Sequence, residues 1–282
     1  MPTLLGEALH AARVRLSEHS PSAGLDAQLL MAEVLGESRA HVLAHRERVL
    51  TPEQTAQFEA WVARRAHGEP MAYLLGRQAF YDRDLFVSPA VLIPRPETEE
   101  LLERALNSPQ AQRPACAAVD VGTGSGALAV TFAALRPDAR VYATDLSPEA
   151  LAVAQRNATH HHAAVTFYQG DLLTPLLAHG HTVDVLMANL PYIDSAVVPT
   201  LEVSRHEPHL ALDGGEDGLD LVRRLLAQAP AVLRPQALIL LEIGYDQGER
   251  ARVLAQAAFP SASVAVIPDL AGHDRIVEVR LS

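Results

Sequence analysis

Ala115-Cys-Ala-Ala-Val-Asp-Val121, Gly122-Thr-Gly-Ser-Gly126 and Ala127-Leu-Ala-Val-Thr-Phe-Ala-Ala-Leu135 follow one another without interruption, and their order decides the fold. The first segment is an apolar run of strand length, the second a glycine turn, the third an apolar helix. Glycines at 122, 124 and 126 let a backbone approach a ligand with no Cβ in the way, and the helix start behind them offers unpaired amides. Outward from this unit the alternation continues. Arg140 to Thr144 reads as a strand ending at Asp145, and Ser147-Pro148-Glu149 opens a helix with serine as its cap. Val165 to Tyr168 is a third strand running into Gln169-Gly170-Asp171, Val183 to Ala188 a fourth, and Ala237 to Ile243 a fifth after a helix over Leu219 to Leu233. Val264 to Ile267 and Ile276 to Leu281 close the sheet as a hairpin-like pair. The pattern predicts an α/β fold with a doubly wound, mostly parallel sheet, whose strand C-termini would gather Gly122 to Gly126, Asp145, Asp171 and Asn189.

Residues 1–75 have a different period. Leu5, Ala8, Leu9, Ala12 and Leu16 recur at helical spacing, as do Leu25, Leu29, Leu30 and Val34, with Gly36 as a stop. Thr51-Pro52-Glu53-Gln54 combines a capping threonine, a proline in the first helical position and a glutamine three residues after the cap. Phe80-Tyr81, Leu85, Val87 and Val91-Leu92-Ile93 predict short strands or a hairpin. Pro94-Arg95-Pro96-Glu97-Thr98 follows, with Thr98 able to cap the next helix, a role that leaves Arg95 between two prolines unexplained. The expected organisation is a small N-terminal helical bundle over 1–75, a β-hairpin linker over 76–95 and the α/β domain over 96–282.

Composition narrows the function. The chain has 282 residues, 49% hydrophobic, and a formal charge of −11 in which every basic residue is arginine. Such an acidic protein is a poor candidate for stable nucleic-acid binding, whose affinity comes mainly from neutralised phosphates. Lacking lysine, it has neither a Schiff-base amine nor a Walker-type phosphate lysine. The single cysteine, Cys116, excludes an internal disulfide and a thiolate zinc cluster. No apolar run is long enough for a membrane span and the N-terminus lacks a signal pattern, so a cytoplasmic location is expected.

The glycine turn fits two cofactors. Gly122, Gly124 and Ala127 satisfy a dinucleotide pattern, with Asp145 where a ribose-binding acid belongs, which keeps a nicotinamide oxidoreductase in view. Asp120, however, ends the strand where it could pair with the amino group of S-adenosylmethionine, and no histidine stands out for hydride chemistry. Asp171 could accept from an adenine amino group, with Leu172 as an apolar lid beside the ring. Asn189-Leu190-Pro191-Tyr192 ends the fourth strand. An amide or aromatic amino nitrogen is a poor nucleophile because its lone pair is delocalised. The Asn189 side-chain oxygen and the Leu190 carbonyl could accept from its two hydrogens, Pro191 restricts Leu190 to an extended backbone, and Tyr192 offers a flat face to the planar group.

Asp120-Val-Gly-Thr-Gly-Ser-Gly126 together with Asn189-Leu-Pro-Tyr192 resembles the Rossmann-like class I S-adenosylmethionine-dependent methyltransferases that act on planar amino nitrogens. The usual tetrad there is Asn-Pro-Pro-Tyr; Asn-Leu-Pro-Tyr is familiar from enzymes that dimethylate ribosomal RNA adenines, so an exocyclic adenine amino group of RNA or DNA is the alternative substrate. Gly68-Glu-Pro-Met-Ala-Tyr-Leu-Leu-Gly76, Val91-Leu-Ile-Pro-Arg-Pro-Glu-Thr-Glu99, Glu207-Pro208, Ala211-Leu-Asp-Gly-Gly-Glu-Asp-Gly-Leu219 and Gly272-His-Asp-Arg275 resemble the release-factor glutamine methyltransferase family over most of the chain. That resemblance implies a helical domain for substrate recognition. It also implies methylation of the glutamine of the Gly-Gly-Gln motif in class I peptide chain release factors. By the same analogy Asp120, Gly122, Thr123, Gly124, Ser125, Gly126, Asp145, Asp171, Leu172 and Asn189 hold the cofactor, and Asn189 to Tyr192 hold the glutamine and carry the catalysis.

Three features receive no such role. His160-His161-His162, with His179 and His181, reads as a solvated loop rather than a metal site, since successive histidines cannot all face one ion from regular structure and methyl transfer needs no metal. Arg223-Arg224 reads as the solvated face of a helix. Glu207 to Gly218 is a turn-rich segment and a candidate substrate-side loop.

Overall fold

Strands covered on both faces read as continuous apolar runs, and here the alternate residues of each run enter two different cores. Val119, Val121, Leu186, Ala188, Ile239 and Leu241 share one, while Ala118, Val185, Met187, Leu238 and Leu240 share the other. The computed structural model describes residues 3–282 and divides into two units, one reaching to Arg77 and one from Gln78 to Ser282.

The first unit holds α1 (Leu5–Leu16), α2 (Ala23–Leu35), α3 (Arg39–Ala44), α4 (Pro52–Ala66) and α5 (Met71–Leu75). Leu5, Leu16, Leu30, Met31, Phe58 and Val62 fill its core. The expected punctuation is present. Gly36 ends α2 in the left-handed conformation, and Thr51 and Gln54 exchange side-chain and backbone hydrogen bonds of 3.2 and 3.0 Å at the start of α4. Buried Asp26 accepts from Ser20 (2.8 Å), Ser22 (2.9 Å) and Arg65 Nε (2.8 Å), clasping α2 to α4.

Strands β1 (Arg77–Phe80) and β2 (Arg83–Phe86) pair as a two-stranded hairpin, and α6 covers Pro96–Asn107. The sheet elements then run β3 (Ala117–Val121), α7 (Ala127–Leu135), β4 (Arg140–Asp145), α8 (Pro148–His160), β5 (Val165–Gln169), α9 (Thr174–His179), β6 (Val183–Ala188), α10 (Asp220–Gln228), β7 (Leu233–Glu242), α11 (Gly248–Ala258), β8 (Ser263–Pro268) and β9 (Asp274–Arg280). Their order in the seven-stranded sheet is β5-β4-β3-β6-β7-β9-β8. All neighbours from β5 to β7 are parallel; β9 runs antiparallel between β7 and β8. The order reverses between β3 and β6, which puts the topological switch point, and the crevice that goes with it, at the C-terminal ends of those strands.

Four local expectations change. Val91-Leu92-Ile93 forms no strand, because Pro89, Pro94 and Pro96 around it lack the amides a ladder needs. Thr98 is not the cap of α6: Arg95 is, with Pro96 first in the helix, and Thr98 is buried inside the first turn. The helix expected over Leu219 to Leu233 is α10 alone; a short 3-10 turn through Pro230 follows it, where the missing amide breaks the helical ladder, and β7 starts at Leu233. The histidine run is not wholly a loop: α8 extends to His160, and the Asn157 side chain within it is turned inward to bond Phe86 and Ser125.

Candidate active site

A cavity of about 520 Å³ opens at the switch point. Asp120, Gly122 to Ser125, Asp145, Asp171, Leu172 and Asn189 to Pro191 all line it, so the residues singled out at the ends of four separate strands converge on one space. Gly126 and Tyr192 stand off its wall. Gly126 (φ 83°) is the left-handed N-cap of α7, where a Cβ would lie 2.9 Å from Val130 Cγ2 and 3.1 Å from Ala154 Cβ. Its missing side chain serves the packing of α7 on α8. Tyr192 is half-buried, and burial, followed by the charge of Glu242, pushes its phenol up to about 12.

The carboxylates shape the loop before they meet any ligand. Asp120 Oδ2 accepts from the Thr123 hydroxyl (2.6 Å) and the Ala129 amide (3.1 Å), which draws the turn against the start of α7. Both bonds fall on one oxygen, leaving Oδ1 for a donor in the cavity. Burial, partly offset by these bonds, raises Asp120 to about 6. Asp145 accepts from the Gly124 amide (2.8 Å) and the Ser147 amide (2.9 Å), one on each oxygen, so each keeps acceptor capacity; burial raises its pKa as well. Asp171 caps no helix: its Oδ2 pairs with Arg224 Nη2 at 2.5 Å. Arg223 and Arg224 are indeed solvent-exposed, but Arg224 lines the cavity rim. Leu172 is buried yet has φ 48°, uncommon for a branched side chain, and lines the same wall.

The tetrad is held from behind by residues that lie outside the expected site. Asn189 Nδ2 donates to Thr98 Oγ1 (3.0 Å), and the Thr98 hydroxyl donates to Glu242 Oε2 (2.7 Å). Gln247 donates to the Tyr192 carbonyl (2.8 Å) while accepting from the Gly244 amide (2.9 Å). Gly214 and Gly218 lie directly against the backbone of Pro191 and Tyr192, so the glycines of the 207–218 segment support the tetrad. Leu190 is buried in the core, with Cδ2 over the open side of Gly122, which accounts for an aliphatic residue at this position. Glu207, also buried, accepts from the Ile93 amide (2.9 Å) and pairs with Arg95, which ties the arginine between the prolines to the segment that walls the cavity. These partners are 91 and 144 residues apart in the two Thr98 bonds; only the composition of the Arg-Pro-Glu-Thr segment hinted at them.

The histidines lie elsewhere. His161 bonds the Asp84 carbonyl (2.8 Å) and His160 meets Phe86 edge-on, so both pack on the hairpin rather than in a free loop. His181 stacks on Tyr142 and bonds the Tyr168 hydroxyl.

Chemically, the cavity offers acceptors for an amino group and for paired hydroxyls, an apolar wall for a flat ring, and an amide oxygen beside the first of these. Known proteins resemble this chain in both of its units. Residues 7–76 match the family model described as the PrmC N-terminal domain, and residues 118–205 match that of a methyltransferase domain. The chain is 46% identical to the release factor glutamine methyltransferase of Moorella thermoacetica, with 89% of each chain covered, and 42% identical to that of Cereibacter sphaeroides, with 98% of each covered. Among solved structures it resembles a Pyrococcus furiosus methyltransferase (20% identity, TM-score 0.52, covering 77% of this chain and 95% of that one) and a T. thermophilus 16S rRNA methyltransferase solved with AdoMet and guanosine (16%, 0.53, covering 73% and 50%). At those identities the two structures speak to the fold alone.

Proposed function

Because this chain belongs to the release factor glutamine methyltransferase family, we propose that it transfers a methyl group from S-adenosyl-L-methionine to the side-chain amide nitrogen of the Gly-Gly-Gln glutamine in class I peptide chain release factors. The observation that carries this reading is the orientation of Asn189 in a cavity that also holds the acceptors an adenosyl cofactor needs. Asp120 Oδ1 would take the amino group of the methionine part, Asp145 the ribose hydroxyls, and Leu172 the flank of the adenine. Asp171, shared with Arg224, stands at the adenine end. The bound cofactor supplies an electrophilic methyl on a sulfonium.

The protein's own work is positioning. Asn189 turns its Nδ2 to Thr98, so Oδ1 is available to accept from the substrate amide, with the Leu190 carbonyl as second acceptor. Two acceptors on the hydrogens favour a pyramidal nitrogen, whose lone pair is then free to attack. The nitrogen gains a methyl and releases one proton, which can leave late, so no strong general base is required. The Leu190 side chain packs in the core and over Gly122, so its carbonyl is the part of it assigned to the substrate.

The N-terminal bundle is assigned to substrate recognition; it exposes Val14, Leu25, Leu43 and Val49 and carries little of the chain's negative charge. No helix among the described residues is long and apolar enough to cross a membrane. Translation termination is the process the protein would serve, and the cytoplasm its proposed location. Incubation with labelled S-adenosylmethionine and a release factor, its Gln-to-Ala variant, or ribosomal RNA tests the assignment. Label is expected on the intact factor only; label on RNA, or persisting on the variant, would overturn it.

A further inference from the structure

Resting on that reading of the site, we propose that Thr98 and Glu242 are positioning residues for the transfer: the Glu242 carboxylate sets, through the Thr98 hydroxyl, which end of the Asn189 amide faces the substrate. A hydroxyl has one hydrogen. An ionised carboxylate only accepts, so at 2.7 Å from Glu242 Oε2 the Thr98 hydrogen points to Glu242. The Thr98 oxygen can then only accept, and the Asn189 amide must present its NH2 group to it, as it does at 3.0 Å. Oδ1 is thereby turned to the other side, where an acceptor is needed for the substrate NH2. Protonated Glu242 reverses every step. It donates to Thr98, the Thr98 hydrogen becomes available to Asn189 Oδ1, and the flipped amide sets its own NH2 against that of the substrate, with no acceptor between them.

The surroundings make this relay responsive to pH. Glu242 is the last residue of β7, only 2% exposed, across from Ile276 of β9 and against the first turn of α6. The groups facing it are Thr98 and Glu97 on α6, Arg95 at the cap of that helix, Arg275 on β9 and Tyr192 after β6. Among the described residues no cation bonds it: Arg275 is committed to Asp269 and the Ile243 carbonyl, and Arg95 to Glu207. Burial therefore outweighs the Thr98 bond and the Arg275 charge, and Glu242 is raised to about 7. The acceptor form is present above that pH and is lost as pH falls through it.

The test is the pH profile of single-turnover methyl transfer to a release factor by the full chain and by Thr98→Val, Thr98→Ser and Glu242→Gln. For the wild type the rate is expected to fall about tenfold between pH 8 and pH 6, as expected for one ionisation near 7. Thr98→Val should lose at least tenfold in rate at pH 8 while its affinity for S-adenosylhomocysteine stays within about twofold, and Thr98→Ser should restore the rate. Glu242→Gln, whose amide keeps both an acceptor and a donor at every pH, should be flat from pH 6 to 8. An undiminished rate in Thr98→Val, or an unchanged acid limb in Glu242→Gln, overturns the relay. A turnover-free readout separates this from failure of the substrate assignment. The Asn189 side-chain NH2 resonances, identified by their loss in Asn189→Ala, should shift with a midpoint near pH 7 in the wild type and not in Glu242→Gln. Resonances that do not titrate in the wild type refute the relay whatever the substrate proves to be.

Discussion

Replacing Gly218 by alanine separates support of the tetrad from ordinary backbone strain. Gly218 has φ 74°, and a Cβ there would stand 2.2 Å from the Tyr192 carbonyl oxygen and 2.4 Å from Gln247 Nε2. Non-bonded carbon and oxygen atoms do not approach below about 3 Å, so the Pro191–Tyr192 backbone or the Gly218 turn must shift by roughly 0.8 Å, in an interior packed too densely to absorb it elsewhere. A displacement of that order in a positioning site costs about 10²-fold in rate. Stability suffers less. A left-handed alanine costs roughly 1–2 kcal/mol, and loss of the Gln247 bond to the Tyr192 carbonyl about 1 kcal/mol. At about 2–4 °C per kcal/mol for a domain of this size, the melting temperature should fall by roughly 5–10 °C. Gly180→Ala is the control: Gly180 has φ 66° at the end of α9, with nothing within 4 Å of a Cβ, so it should show the strain cost and a wild-type rate. The assay is initial-rate methyl transfer at saturating cofactor, at a temperature where both variants are folded, paired with S-adenosylhomocysteine affinity. A wild-type kcat in Gly218→Ala, or an equal loss of kcat in Gly180→Ala, would refute the reasoning.

Asn189→Ala removes the oriented acceptor and should lower kcat by about 10²–10³-fold while cofactor still binds, measured by single-turnover rates and calorimetry; a rate near wild type excludes the role given to it. Asp120→Asn removes a buried charge but keeps an acceptor for Thr123 and Ala129. Because the Asp120 carboxyl is raised from 3.8 to about 6 in the fold, its contribution to stability is full below about 4 and is lost as pH rises through 6. The variant should therefore gain melting temperature relative to wild type between pH 4 and 7 and bind S-adenosylmethionine more weakly; a relative stability that does not change with pH would count against this. In the N-terminal bundle, Asp26→Ala leaves Arg65 without its buried partner and should cost about 3 kcal/mol, read by chemical denaturation; a change under about 1 kcal/mol would show the clasp to be incidental.

The parts of this fold that are written locally were legible. Apolar residues at spacing 3 and 4 produced α1 and α2, the threonine, proline and glutamine at 51, 52 and 54 produced the start of α4, and the glycine turn between an apolar run and an apolar helix produced β3 and α7. In each case the signal and the bonds it produces lie within a few residues of one another. Misreadings arose where a local signal had a distant competitor. Thr98 has the chemistry of a helix cap, but Arg95 takes the cap and the Thr98 hydroxyl goes to a strand 144 residues away. Arg224 lies on the exposed face that its helix predicts, yet Asp171, brought alongside by the sheet order, pairs with it. Arg95 is conspicuous in sequence, and its reason lies in Glu207, 112 residues away along the chain.

By itself, then, the sequence determined the alternation of strands and helices, the N-terminal helices, the glycine turn, and the set of acids and amides that end the strands. Spacing along one chain carries that much, because secondary structure follows from bonds and contacts a few residues apart. Tertiary structure decided what those groups do. The reversal of strand order between β3 and β6 brings Asp120 beside Asn189, and the pairing of β7 with β6 on one side and β9 on the other buries Glu242 behind Thr98. Whether Asn189 offers an oxygen or an NH2 group to the cavity depends on the last proton donor in that three-residue chain, and no local pattern encodes the direction of a hydrogen bond between residues that only folding makes neighbours.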